Sequence, residues 1–292
     1  MIIVKLIGGL GNQMFQYAVG RCLAHKCKTE LKLDIQGFNS YKLRNYDLNH
    51  FNIVENFVTF TDLAQVSFDS DRFIVKLLNN IVSHIPSVKP IECIKEEKLS
   101  FQQKILGLSG NVYLDGYWQN ERYFLEIKDI IIKEFSIVSS LSSMSQDIEE
   151  QVKDCESVSI HVRRGDYVSD PKTNSFHGTC GLEYYYKAIN MIYKTVDNPH
   201  FFIFSDDPEW ASCNIQPKEP TTYIRHNNSS KDYEDMYLMS MCKHHIIANS
   251  SFSWWGAWLS SYKKKIVVAP KRWFFDEKAN GEYELPEGWV RL

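Results

Sequence analysis

Val158-Ser159-Ile160-His161-Val162-Arg163-Arg164-Gly165-Asp166-Tyr167 is a Val/Ile-rich run that ends in paired arginines and an aspartate. Short runs of this composition read as strands buried on both faces. Residues Ile2–Ile7, Leu31–Ile35, Phe201–Phe204, His245–Ala248 and Ile266–Ala269 read the same way. Between them Met14, Phe15, Ala18, Val19, Cys22 and Leu23 recur at helical spacing, as do Leu182, Tyr185, Ile189, Ile192 and Val196. Alternating strands and helices predict parallel α/β sheets. Ligands of such sheets bind beyond the carboxyl ends of the strands, so the cluster after Val162 stands where a site is expected.

With 292 residues, 44% of them hydrophobic, the chain has the length of one large domain or two ordinary ones. We expect two, at 1–150 and 151–292, because Ser136–Ser145 is serine-rich and the strand-helix pattern restarts at Val158. The alternative makes Ser136–Ser145 a surface loop leading into the capped start of a helix around Ile148, all within one domain. A net charge of -3 gives no diffuse positive field, which argues against nucleic acid as the main partner. Lys263–Lys265 reads as a solvated turn before a strand. Seven cysteines without a CxxC pair disfavour a disulfide framework and a zinc site. Ile2–Ile7 is too short for a signal-peptide apolar region and is broken by Lys5. No stretch reaches the roughly 18 apolar residues of a transmembrane helix. We therefore expect a cytoplasmic protein, at most peripheral at the inner face of a membrane. Tyr41–Gly110 has mixed character and carries no chemistry that the sequence reveals.

Three further segments stand at strand ends. Gly8-Gly9-Leu10-Gly11-Asn12-Gln13 follows a strand and opens a helix, where glycines let backbone N–H groups approach a ligand. It is neither GxGxxG, since Met14 stands where the last glycine would be, nor a P-loop, and a tight strand-to-helix turn explains it equally. Ala248-Asn249-Ser250-Ser251-Phe252-Ser253 precedes Trp254, Trp255 and Trp258. Any of Ser250, Ser251 or Ser253 can be an N-cap, but the set exceeds what one cap needs and suits a pyrophosphate. Phe204-Ser205-Asp206-Asp207-Pro208 lacks the spacing of an Asp-x-Asp metal site. Its carboxylates can accept from ribose hydroxyls or guanine, or cap the helix starting at Pro208. Two adjacent arginines at a strand end call for anionic partners: Asp166 for one, phosphate oxygens for the other.

Taken together, GGLGNQMFQYA (8–18), HVRRGDY (161–167), FSDDPEW (204–210) and NSSFSWWGAWL (249–259) resemble the bacterial α-1,2-fucosyltransferases, glycosyltransferase family 11. The resemblance implies an α/β, GT-B-like fold in which two Rossmann-like domains face across a cleft. The N-terminal domain would be the acceptor side and the C-terminal domain would bind the donor, with the last helix able to return to the N-terminal domain. It further implies GDP-β-L-fucose as donor, inversion at the anomeric carbon, no metal or other cofactor, and an oligosaccharide or lipid-linked glycan acceptor ending in galactose.

Carried over by position, the resemblance puts Arg163 on the donor phosphates with His161 and Arg164 close by, and Asp206 or Asp207 on guanine or ribose. Asn249, Ser250, Ser251, Phe252 and Ser253 would lie along the pyrophosphate. Gly11 and Asn12 would face the reacting centre. Arg163, Asn12 and Asp166 are the catalytic candidates. Pro171 stands where the α-1,6 relatives carry their proposed base, so the base is unassigned among Asp166, Asp170 and His177. Gly165–Gly181 is rich in turn formers and reads as a lid that orders on donor binding. Competing readings are transfer from another GDP-sugar and a non-catalytic glycan-binding protein. A Rossmann oxidoreductase is disfavoured by the failed glycine pattern.

Overall fold

Ile2, Ile3 and Val4 are fully buried in β1 (Ile2–Lys5), an interior strand of a parallel sheet completed by β2 (Leu31–Asp34), β3 (Val66–Ser67), β4 (Ile91–Lys95) and β5 (Val112–Asp115). The computed structural model describes residues 1–39, 44–67, 90–228 and 230–292, so parts of the Tyr41–Gly110 stretch lie outside the described residues. The strand order is β2-β1-β5-β4-β3. Helix α1 (Leu10–Cys27) buries the residues that the spacing picked out, Met14 through Leu23, and turns at Lys28 in the left-handed conformation. Two shorter helices, α2 (Phe60–Ala64) and α3 (Lys128–Glu134), belong to the same compact unit, Met1–Val138.

The second unit, Ser139–Leu292, holds a parallel sheet of order β11-β10-β9-β6-β7-β8. Its strands are β6 (Glu156–Val162), β7 (Pro199–Ser205), β8 (Thr221–Tyr223), β9 (His244–Ile246), β10 (Val267–Ala269) and β11 (Val290–Arg291). The helices are α4 (Ser143–Lys153), α5 (Gly165–Ser169), α6 (Pro171–His177), α7 (Leu182–Tyr193), α8 (Pro208–Asn214), α9 (Asp232–Met241), α10 (Ser251–Leu259) and α11 (Glu277–Glu282). The apolar face of α7, Tyr185, Ile189 and Ile192, packs with Val158, Ile160, Phe201 and Ile203 of the central strands. Burial on both faces leaves β7 without alternation at Phe201–Phe204, whereas β6 still alternates and buries Ser157, Ser159 and His161 between its Val and Ile residues.

The serine-rich stretch contains a helix cap, close to where the chain divides into its two compact units. The units divide at Val138/Ser139, and Ser142 then caps α4, its Oγ accepting from the Ser145 amide at 3.4 Å and donating to Glu234 at 2.6 Å. The expected boundary at residue 150 falls inside α4, which stands with the second unit because Ser142 and Glu149 bond to Glu234 and Tyr237 of α9. The chain end also stays there, since β11 pairs with β10. Lys263 and Lys264 are exposed in a turn before β10, as expected, while the partly buried Lys265 turns inward, its ammonium donating to the carbonyls of Ala257, Trp258 and Ser260 at the C-terminus of α10. Among the described residues no helix is long and apolar enough to cross a membrane, and no disulfide joins the cysteines.

Candidate active site

In the second unit the site is assembled where β6 and β7, neighbours in the sheet, both end. Arg163 leaves β6 with one nitrogen on Asp166 and the other, Nη1, 2.7 Å from Asp206 at the end of β7. The Arg164 amide donates to the other oxygen of Asp206 at 2.8 Å, and its guanidinium bonds Asp207 at 3.2 Å while lying 3.8 Å from the centre of the Trp210 ring. Asp207 also accepts from the Trp210 amide, as the N-cap of α8. Each adjacent carboxylate therefore has a different arginine, and Asp207 does one of the jobs that the sequence left open for such a residue, the helix cap. Gly165 makes the junction possible: a Cβ there would stand 2.6 Å from Asp206 Oδ2.

His161 is buried against Phe252, ring centres 5.4 Å apart. Burial, and next the Arg163 charge, push its imidazole down to about 3, so it is neutral at physiological pH. Its Nδ1 has no hydrogen-bond partner among the described residues. In the serine turn, Ser250 caps α10 by accepting from the Phe252 amide at 3.3 Å. Ser253 is fully buried and bonds to the carbonyls of Ala248 and Ser250. Ser251 is partly exposed at the first turn. Asn249 lies beneath the turn and is 3% exposed, with its amide donating to the carbonyls of His177, Gly178 and Trp273. It is a strut between loops. That role leaves Ser251 and the N-terminal end of α10 as the parts of this segment suited to an anion.

The Gly165–Gly181 segment is folded as α5 and α6. Tyr167 stacks on His177 at 4.7 Å and 12° and lies under Arg163, 5.2 Å from the guanidinium carbon. Asp170 caps α6, its carboxylate held low by hydrogen bonds from Thr173. Burial keeps the His177 imidazole below its ordinary range. Of the three base candidates, Asp170 caps α6, Asp166 pairs with Arg163, and His177 stacks on Tyr167.

In the first unit, Gly9 precedes α1, with Gly11 and Asn12 in its first turn. Asn12 Oδ1 accepts from Gln119 at 2.8 Å. Buried Gln13 bonds the carbonyls of Gly8 and Asn45 and accepts from the Asp47 amide, and Gln16 ties Ile7 to Gly116. The two glutamines of the GNQMFQ segment thus fix the loops around the end of β1, a role that their sequence position alone did not reveal. Trp210, Tyr167 and Gly165 were also missed as site residues. The signal was present in the motifs, an aromatic near each arginine.

A profile of the family described as Glycosyl transferase family 11 matches residues 74–292. The chain belongs to glycosyltransferase family 11. Two family-11 relatives from Escherichia coli match it over nearly their whole length. One is an alpha-1,2-colitosyltransferase, 38% identical across 100% of this chain and 99% of that protein. The other is the O-antigen biosynthesis glycosyltransferase WbnK, 34% identical across 98% and 99%. Among solved structures, the fucosyltransferase NodZ from Bradyrhizobium superposes with a TM-score of 0.53 at 14% identity, covering 88% of this chain and 90% of that one. At that identity the likeness carries the fold, and the family-11 chain has the GT-B-like fold that its motifs implied, with one parallel sheet in each unit.

Proposed function

We propose that this family-11 glycosyltransferase moves an L-fucose-type sugar from its GDP donor to a glycan hydroxyl, with inversion and without a metal. The observation that carries this reading is Arg163, fixed by Asp166 and Asp206 at the carboxyl end of β6. As the glycosidic bond to phosphate breaks, negative charge grows on the β-phosphate. A guanidinium already oriented, together with the N–H groups opening α10, meets that charge without reorganisation. Asp207 and the Arg164–Trp210 stack are suited to the nucleoside end. No strong base is needed where the anomeric centre becomes oxocarbenium-like before the acceptor proton leaves. The first unit, with Asn12 at the end of β1, takes the acceptor side. O2 of a terminal galactose is the hydroxyl expected, and the work is done in the cytoplasm, at most at the inner membrane surface.

A second donor is favoured by the full-length match to an alpha-1,2-colitosyltransferase. Colitose is L-fucose lacking the 3-hydroxyl, so phosphate and guanine contacts do not separate the two sugars. Discrimination requires a group that bonds O3, because a site built to satisfy a hydroxyl is left unpaired by the deoxy sugar. The test is competition in EDTA between GDP-fucose, GDP-colitose and GDP-mannose, followed by calorimetry and turnover. Preference for either L-sugar supports the proposal and assigns the donor. Preference for GDP-mannose, or binding of none, refutes it.

A further inference from the structure

The turn after β5 is held in a conformation that its sequence resists. Trp118 has φ of 56°, the left-handed region that a bulky side chain rarely adopts, and its indole is fully buried against Tyr123. The indole Nε1 has no hydrogen-bond partner among the described residues, a further cost of placing the ring there. Several groups hold the turn from outside. Glu96, following β4, accepts from the amides of Tyr117 and Trp118 at 2.7 and 2.9 Å. Gln16 of α1 donates to the Gly116 carbonyl at 3.1 Å. Gly116 allows the approach of β4, since a Cβ would stand 2.4 Å from that of Glu96.

The outcome is a placement of side chains. Tyr117 is left 39% exposed on the rigid turn, and Gln119 donates to Asn12 Oδ1 at 2.8 Å. Strand β5 neighbours β1 in a parallel sheet, so this aromatic and this amide pair stand together at the carboxyl ends where such sheets bind ligands. A partly exposed ring and an amide pair carried by one turn suit a pyranose, which has an apolar C–H face and hydroxyls at its edge.

We propose that the Tyr117–Gln119 turn is a sugar subsite for the terminal hexopyranose of the acceptor glycan, with the Tyr117 ring against one sugar face and the Asn12–Gln119 pair on its hydroxyls. The assignment rests on the glycosyl-transfer reading above and specifies where the acceptor is held. The strain at Trp118 fixes the ring before the sugar arrives, which lowers the ordering cost of binding.

The experiment compares the full-length protein with Tyr117→Ala, Tyr117→Phe and Gln119→Ala, using lactose and N-acetyllactosamine as probes. Acceptor KM is expected to rise about tenfold or more in Tyr117→Ala and to stay near wild type in Tyr117→Phe. GDP affinity and acceptor-independent donor hydrolysis should stay within about twofold in both. Gln119→Ala is expected to lower kcat through Asn12 with GDP affinity kept. Saturation-transfer NMR of the same disaccharides needs no turnover. A Tyr117-dependent signal without transfer would keep the subsite and remove the reaction. Neither KM nor saturation signal depending on Tyr117, for either disaccharide, would overturn the proposal, as would equal loss of GDP and acceptor binding in Tyr117→Phe.

Discussion

Arg163 and Asp206 meet at 2.7 Å although 43 positions of chain separate Arg164 from Asp207 beside them, because β6 and β7 run parallel and end together. Asp206 also accepts from the Arg164 amide. One carboxylate thus fixes both the cation and the backbone after β6. Asp206→Ala is expected to weaken GDP binding about 10- to 100-fold by freeing both, as judged from the worth of hydrogen bonds to charged groups. Calorimetric titration of GDP checks it, and unchanged affinity would mean that Arg163 is positioned by Asp166 alone.

Gly165 is required by the same contact. In Gly165→Ala the new methyl must displace Asp206 Oδ2, 2.6 Å away, and so break a pair that orients Arg163. Stability is expected to fall by about 1–3 kcal/mol, with GDP affinity lowered further than in a surface alanine control. Urea denaturation read together with GDP titration separates the two effects.

Asn249 supports the turn segment by three carbonyl contacts from a buried amide. Asn249→Ala should cost about 2–3 kcal/mol, because buried carbonyls lose their donor, and should speed proteolytic cutting within 165–181. Limited proteolysis with and without saturating GDP measures this directly. Equal cutting rates in variant and wild type would show that the segment is held by its aromatic packing instead.

Acid should destabilise the protein through its buried imidazoles. His161 is pushed down to about 3 from an ordinary 6.5, and His245, fully buried, is also well below it, burial being the first cause in both. The unfolded chain therefore binds more protons below pH 6.5, and stability falls as pH drops from there toward 3. His161→Gln should flatten the slope by about 1.4 kcal/mol per pH unit across that window. Asp47, raised to about 6 by burial, works in the opposite direction but is common to both proteins and cancels in the difference. Chemical denaturation at pH 7, 6 and 5 would show the convergence; parallel slopes would contradict it.

Strands β1 and β7 were legible because they are buried on both faces and read as unbroken apolar runs, and β6 because Val158, Ile160 and Val162 recur along it between buried Ser159 and His161. Of the shorter strands β2, β9 and β10 were also read, and the rest were not. Val66–Ser67 and Val290–Arg291 are too brief for any period, and Ile91–Lys95 carries Glu92 and Lys95 on a partly exposed ribbon. At the site, composition exposed the arginines and aspartates, whose pairing follows from charge. It did not reveal that Asn249 is an internal strut, Ser253 a bond to its own turn, or Glu96 the holder of Trp118. Those roles depend on which strand ends lie side by side, and that is a property of the sheet order.

The most direct measurement is GDP release in EDTA from GDP-fucose and GDP-colitose, with and without lactose, by wild type and Arg163→Ala, with the product linkage read by NMR. Lactose-dependent release from one of these donors, an α-1,2 product, and a rate about 100- to 1,000-fold lower in the variant are expected. Release that requires a divalent metal, or that survives Arg163→Ala unchanged, would contradict the role of the Arg163 cluster in stabilising the departing diphosphate.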